Sequence, residues 1–193
     1  MATMHPPGRV AQLDEQSILQ NGAFRQQLAE IAKRLDLDAG AADKQAADCL
    51  QELAVRPEER YLDIVARLAR FMYSRSYDPL LDVNTGQLES LKQAAETRPL
   101  VFLWSHKSHL DSFVFMRAMY DNDFCPQPLS FAGINMNFLG FGKLAKKSGA
   151  IFVRRSFRDD EIYKLVFMHY IDSLVERKLP LSWSIEGTRS RTG

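Results

Sequence analysis

The sequence has few cysteines, no long apolar run and almost no net charge. Its two cysteines, Cys49 and Cys125, lack the paired spacing of a zinc site and give no reason to expect a disulfide. No apolar stretch approaches the roughly 20 residues that a membrane-spanning helix needs. The first seven residues lack the apolar core of a secretory signal. We therefore expect a soluble globular protein in a reducing compartment, with the cytoplasm the simplest choice.

Charge is balanced overall but divided unevenly along the chain. The formal net charge is +1, and the hydrophobic share of 46% is ordinary for a globular domain. Residues 141–193 carry 11 basic and 6 acidic side chains, whereas residues 1–100 carry 12 basic and 15 acidic ones. The basic segment favours a phosphorylated substrate or an anionic membrane surface. Nothing in the pattern points to nucleic acid.

Two patterns of apolar residues divide the chain. In the first hundred positions apolar residues recur at helical spacing, which predicts a small helical bundle over residues 1–76, with a boundary near Ser76-Tyr-Asp-Pro79. The two clearest stripes are Phe24, Leu28, Ile31 and Leu35, ending at Asp38-Ala-Gly40, and Tyr61, Ile64, Val65, Leu68, Phe71 and Met72. From residue 99 onward short apolar strands alternate with amphipathic helices, which predicts an α/β unit over residues 77–193.

Charged and polar residues follow three of the predicted strands. They lie in Ser105-His-Lys-Ser-His-Leu-Asp111, in Gly149-Ala-Ile-Phe-Val-Arg-Arg155 and in Ser184-Ile-Glu-Gly-Thr-Arg-Ser-Arg191. Each has an ordinary explanation: a loop histidine with a helix-capping aspartate, two solvated arginines at an edge strand, and a surface ion pair. Open α/β sheets, however, bind ligands at the carboxyl ends of their strands, so the three together predict one composite site.

The first of these segments has the composition of a general-base site. Imidazole titrates near neutral pH, so His106 suits the removal of a proton from a hydroxyl group. Asp111, in the first turn of the following helix, is placed to contact the ring and to stabilise the imidazolium that forms. No serine lies in a Gly-x-Ser-x-Gly elbow, so we expect direct attack by the substrate without an acyl-enzyme.

The three segments, in this order, resemble the conserved blocks of the glycerolipid acyltransferases. His106-Lys-Ser-His-Leu-Asp111 resembles the H-x4-D block, Gly149-Ala-Ile-Phe-Val-Arg-Arg155 the second block and Glu186-Gly-Thr-Arg-Ser190 the third. The resemblance covers about residues 77–193 and is closest to the glycerol-3-phosphate acyltransferases. Lys107 stands where those enzymes commonly have arginine. A fourth block, which contains Val-Pro, is absent, so the chain reads as the amino-terminal portion of such an enzyme.

The resemblance implies a fold, a reaction and a set of site residues. The fold is a mixed sheet with flanking helices, incomplete at its carboxyl terminus. The reaction transfers a fatty acyl group from acyl-CoA or acyl carrier protein to the sn-1 hydroxyl of glycerol 3-phosphate, with no cofactor, at the cytoplasmic face of the cell membrane. His106 and Asp111 are the catalytic residues. The expected substrate-binding residues are Lys107, Arg154, Arg155, Glu186, Gly187 and Arg189.

Three alternatives remain open at this point. The acceptor can instead be dihydroxyacetone phosphate or a lysophospholipid. His106, His109 and Asp111 have a spacing that can ligate a metal, although no second cluster of ligands accompanies them. The chain can also be an inactive fragment whose helical segment binds a partner.

Overall fold

The computed structural model describes residue 10 and residues 14–75, 81–108, 110–134 and 141–185. Within these residues the chain forms helices before residue 100 and alternates strands with helices after it. The helices are α1 (Glu15–Gln20), α2 (Gly22–Arg34), α3 (Ala39–Leu53), α4 (Glu59–Tyr73), α5 (Thr85–Thr97), α6 (Asp111–Asp121), α7 (Phe141–Lys147) and α8 (Glu161–Glu176). The strands are β1 (Val101–Trp104), β2 (Leu129–Gly133), β3 (Ala150–Val153) and β4 (Leu181–Ser184).

The four strands form one sheet in the order β1-β4-β2-β3. Every pairing among them is parallel, with Val101 opposite Leu181 and Ser130 opposite both Ala150 and Ser182. The predicted α/β fold is therefore confirmed, and the described part of the sheet is wholly parallel. Gly149 has φ of 104°, which a side chain would disfavour, and an added Cβ would lie 3.2 Å from Leu129 Cδ2. The glycine of the second block thus makes the turn from α7 into β3.

One face of the sheet shares its core with the amino-terminal helices. Leu129, Ile151 and Leu181 point to this face and belong to one buried cluster with residues of α8, α3 and α2. Tyr170 of α8 is fully buried there, and its hydroxyl accepts a hydrogen bond from the Val55 N–H at 3.3 Å. Since side chains alternate across a strand, Phe102 points to the opposite face, where it packs with a second cluster that includes Leu88, Met119 and Phe124.

Helix α3 is the longest element that the apolar pattern did not predict. Its buried face is built mostly from small residues: Ala42, Ala46, Cys49, Leu50 and Leu53. The Asp38-Ala-Gly40 segment, which we expected only to end a helix, also begins α3, because an Asp38 carboxylate oxygen accepts hydrogen bonds from the Gly40 and Ala41 N–H groups. The helix then packs on α8 and β3.

Two lysines at the end of α7 fasten the α/β unit to the end of α3 and the start of α4. Lys146 Nζ donates to the carbonyl oxygens of Gln51 and Glu52 at 2.7 and 2.9 Å, and burial lowers the pKa of this amine. Lys147 Nζ donates to Glu58 Oε1 at 2.6 Å. The helical region and the α/β unit are thus joined by polar contacts as well as by the shared core.

The domain boundary predicted at residues 76/77 lies outside the described residues. Among the helices that the structure describes, none is long and apolar enough to cross a membrane.

Candidate active site

The carboxyl ends of the parallel strands meet at one edge of the sheet. His106 lies two residues beyond β1, Arg154 follows β3 directly, and the third block begins two residues beyond β4. Because β4 neighbours β1, the last described residue after β4, Ile185, lies beside the end of β1, where its N–H donates to the Trp104 carbonyl oxygen at 2.9 Å. Strand β3 is at the far edge, three strand spacings or roughly 14 Å away. Glu186, Gly187 and Arg189 lie outside the described residues, as does His109.

Asp111 holds the loop that carries His106. It is the first residue of α6, and its Oδ2 atom accepts hydrogen bonds from the N–H groups of Lys107 and Ser108 at 2.7 and 2.6 Å. The same oxygen lies 3.8 Å from His106 Nδ1, longer than a hydrogen bond but within the range of an ion pair. One carboxylate oxygen therefore fixes the loop backbone and faces the imidazole, as the H-x4-D spacing predicted. Catalytic contacts of this kind often shorten only when substrate is bound.

Two further groups restrain this loop. The indole of Trp104, the last residue of β1, meets the His106 ring edge-on, with centroids 5.3 Å apart and planes at 90°. Ser108 Oγ accepts a hydrogen bond from the Leu110 N–H at 3.1 Å, which closes the turn before α6. The side chains of His106 and Asp111 nevertheless keep 21% and 30% of their surface exposed, so a small substrate can reach the imidazole.

The two arginines of the second block have different environments. The guanidinium of Arg154 is bonded on all three nitrogens: Nε and Nη2 to the carboxylate of Glu52 and Nη1 to Asp160 Oδ2, at 2.6 to 3.1 Å. It also lies over the ring of Tyr163, 4.3 Å from the centroid. The hydrogen bonds that Arg154 donates to Glu52 are the largest cause of the rise in its pKa, which lies well above the usual arginine value.

Arg155 and Lys107 are the exposed cations at this edge. Neither side chain has a hydrogen bond or an ion pair with the part of the chain that the structure describes. Both are therefore available to an anionic ligand, whereas Arg154 is already bonded to two carboxylates. In the described residues no group of three or more His, Cys, Asp and Glu side chains is arranged to hold a metal ion.

Comparison with known proteins now gives the family. The family model described as Acyltransferase matches residues 83–193, which is more than half of the chain and includes all three blocks. The chain belongs to the acyltransferase family. The matched region takes in α5 and the α/β part, and the helices before residue 83 lie outside it.

Two named relatives extend the match into the helical part. The acyltransferase plsB1 of Mycobacterium tuberculosis is 35% identical over 170 residues, which are 88% of this chain and 27% of that protein. A glycerol-3-phosphate acyltransferase of Haemophilus influenzae is 30% identical over 187 residues, 97% of this chain and 22% of that protein. The chain thus spans about a quarter of the length of the curated relatives it matches.

Sequence reasoning proposed the candidate site but missed the contacts that hold its residues in place. Asp160 caps α8, and its Oδ1 accepts a hydrogen bond from the Tyr163 N–H at 2.9 Å. Glu52 was not predicted, because it lies 102 residues before Arg154 on a helix that the apolar pattern did not show. The edge-on contact of Trp104 with His106 was also missed, although an aromatic residue directly before the H-x4-D loop is visible in the sequence.

Proposed function

We propose that this chain carries the acyl-transfer centre of a glycerol-3-phosphate acyltransferase. The enzyme moves a fatty acyl group from a thioester, acyl-CoA or acyl carrier protein, to the sn-1 hydroxyl of glycerol 3-phosphate. The product is lysophosphatidic acid. Membership of the family and the name of the Haemophilus relative support the reaction class. The observation that carries the proposal is the pairing of His106 with Asp111 at the end of β1.

In the proposed mechanism His106 is the general base. Its imidazole removes the proton from the acceptor hydroxyl as that oxygen attacks the thioester carbonyl carbon. The new carbon–oxygen bond forms, the carbon–sulfur bond breaks, and the proton passes from the imidazolium to the departing thiolate. Asp111 stabilises the imidazolium and keeps the loop in place. Neither Ser105 nor Ser108 lies in a Gly-x-Ser-x-Gly elbow, and Ser108 Oγ accepts the Leu110 N–H, so we expect no acyl-serine intermediate. The proposed reaction needs no cofactor besides the acyl thioester.

In this proposal the acceptor phosphate binds near the carboxyl end of β3, on the same edge of the sheet as His106. Arg155 is our choice for this role, because its planar fork matches phosphate oxygens and it is exposed next to β3. An extended arginine and the glycerol phosphate together bridge much of the gap to His106. In the proposal Lys107 and Arg189 add positive charge, and Glu186 and Gly187 line the glycerol. Arg154 belongs to the same block but contacts the phosphate only if it leaves Glu52 and Asp160.

We propose peripheral attachment to the cytoplasmic face of the cell membrane, where the product is used. The excess of basic residues in residues 141–193 supports contact with anionic lipid headgroups. An acyl carrier protein, which is acidic, would be attracted by the same charges.

The test is acylation of glycerol 3-phosphate by the full-length protein that contains this chain, beside its His106→Ala variant. Dihydroxyacetone phosphate and a lysophospholipid serve as competing acceptors, and acyl-CoA and acyl carrier protein as donors. We expect thioester-dependent acylation of glycerol 3-phosphate that is lost with His106. A stronger preference for another acceptor would change the substrate, and no acylation of any of them would refute the proposal.

A further inference from the structure

Two neighbouring arginines, Arg154 and Arg155, follow β3, and only Arg154 is bonded to side chains in the described part of the chain. Arg154 bonds Glu52 through Nε and Nη2 and bonds Asp160 through Nη1. Its main-chain N–H also donates to the hydroxyl of Tyr163 at 3.2 Å. Arg155 is exposed and has no such contact with the described part of the chain. We therefore expect Arg154 and Arg155 to have different roles, although both belong to the second block.

The charge around Arg154 opposes a phosphate there. Glu52 and Asp160 bring two carboxylates to one guanidinium, so the cluster is negative by one charge when all three are ionised. The side chains of Glu52 and Arg154 are 25% and 33% exposed, so solvent screens this charge only in part. A phosphate that approached Arg154 would meet like charge and would have to break charge-assisted hydrogen bonds. Arg155 is bonded to neither of these carboxylates, so a phosphate at its guanidinium would break no such hydrogen bond.

Glu52 is firmly placed. It lies in the last turn of α3, whose residues Cys49 and Leu53 are buried in the main core. Its carbonyl oxygen accepts a hydrogen bond from Lys146 Nζ at 2.9 Å. The carboxylate therefore stands on a packed helix rather than on a loop, and it fixes the position of whatever it binds.

We infer that Glu52 is a positioning residue for the substrate phosphate. It holds the side chain of Arg154 in one position at the end of β3. This contact fixes the position of the backbone from which the side chain of Arg155 reaches the phosphate. Arg154 itself does not touch the substrate. The inference rests on the proposed function, and it assigns the helical region, which lies outside the matched acyltransferase region, a part in acceptor binding.

The experiment compares Glu52→Gln, Arg154→Gln and the double variant in the full-length protein. For each, kcat and KM are measured with glycerol 3-phosphate varied and then with the thioester varied. Asp43→Asn is the matched control, because Asp43 lies on the same helix and bonds Arg25 at 2.7 and 3.1 Å, away from the sheet. Arg155→Gln provides the reference for loss of a direct phosphate contact.

We expect each single variant to raise the glycerol 3-phosphate KM by about 3- to 10-fold, with kcat and the thioester KM nearly unchanged. The double variant should match the single ones, since Glu52 and Arg154 act as one unit. Arg155→Gln should have the larger effect, and Asp43→Asn none. A merely structural role would lower activity without this selective change in the acceptor KM. If Glu52→Gln does not fold, both Glu52 and Arg154 can be replaced by methionine. This double variant contains no guanidinium that has lost its carboxylate partner, and it should raise the glycerol 3-phosphate KM by the same factor.

Three results would overturn the inference alone, with the wild type active. These are an unchanged KM in Glu52→Gln, a lowered KM because the freed Arg154 binds the phosphate, and an Arg154→Gln defect as large as that of Arg155→Gln. If the wild type acylates no phosphorylated glycerol, the proposed function is refuted, and the inference falls with it.

Discussion

The carboxyl ends of β1 and β3 are held in place in two different ways. At β1 the contacts described above for the His106 loop are local, because Trp104, Ser108 and Asp111 all lie within five residues of the histidine. At β3 the contact that holds Arg154 comes from Glu52, 102 residues earlier in the chain. One end of the edge is thus built by its own motif and the other depends on the helical region.

The two arrangements suit two different functions: proton transfer at the end of β1 and binding of the acceptor at the end of β3. A self-contained loop can keep the imidazole and carboxylate in register while one side stays open to the reacting groups. At β3 the hydrogen bonds of Arg154 with Glu52 and Asp160 instead connect the proposed phosphate site to the core shared by α3, α8 and the sheet. We therefore expect changes at β1 to alter kcat, and changes at β3 to alter acceptor binding and stability.

The largest expected effect comes from removal of the base. His106→Ala should lower kcat by about 10²- to 10⁴-fold, because it removes the imidazole that faces Asp111 and takes the hydroxyl proton in the proposed mechanism. The melting temperature should hardly change, since Asp111 still bonds the N–H groups of Lys107 and Ser108. Steady-state rates and a thermal melt of the same sample check both points. A variant that keeps full kcat would end the assignment of His106 as base.

The second effect isolates the charge of Asp111. Asp111→Asn keeps an acceptor for the loop N–H groups but removes the charge that stabilises the imidazolium, so kcat should fall about 10- to 100-fold. Asp38→Asn is the control, because Asp38 also accepts two backbone N–H groups at the start of a helix, far from the site. Equal losses of kcat in the two variants would mean that Asp111 only supports the fold.

The third effect concerns stability at β3. Arg154→Ala leaves the carboxylates of Glu52 and Asp160 without their partner, and we expect a loss of about 1–3 kcal/mol in the free energy of unfolding. Arg155→Ala removes an exposed side chain and should change it little. Urea denaturation of the two variants makes the comparison. The account of the two arginines is wrong if Arg155→Ala proves the more destabilising.

The smallest effect is a pH dependence at the junction of α4 and α7. Lys147 donates to Glu58 and thereby holds the pKa of that carboxyl below its ordinary value of 4.5. A lowered carboxyl pKa stabilises the fold above the unfolded value, and this contribution is lost as pH falls through the folded value. The melting temperatures of the wild type and Glu58→Gln should therefore differ slightly near neutral pH and converge below 4.5. A constant difference down to acid pH would show that the ion pair is not its source.

Much of the α/β unit was predictable because its signals are local. Strands β1 and β3 are short apolar runs that end directly before the polar residues of the predicted site. Helix α8 begins directly after Asp160, a residue type that favours this position. The H-x4-D spacing also placed Asp111 at the start of α6, facing the histidine.

The supports of the site were not predictable for two physical reasons. Helix α3 buries a face of small residues, so its apolar pattern is weak even though Ala46 and Leu53 are fully buried. A contact between Glu52 and Arg154 depends on how two distant elements pack, which no spacing in a single sequence encodes. For the same reason residue spacing could not show that Arg154 is bonded to Glu52 while Arg155 stays exposed, although the resemblance already favoured Arg155 for the phosphate.

The most direct test measures kcat/KM for glycerol 3-phosphate and for glycerol with the same thioester. We predict that the wild type strongly prefers the phosphorylated acceptor, and that His106→Ala lowers both values while it preserves their ratio. Arg155→Ala should reduce the ratio and leave the reaction with glycerol nearly unchanged. If Arg155→Ala keeps the wild-type ratio, or His106→Ala retains the wild-type rate, the division of the edge into a base at β1 and a phosphate site at β3 is contradicted.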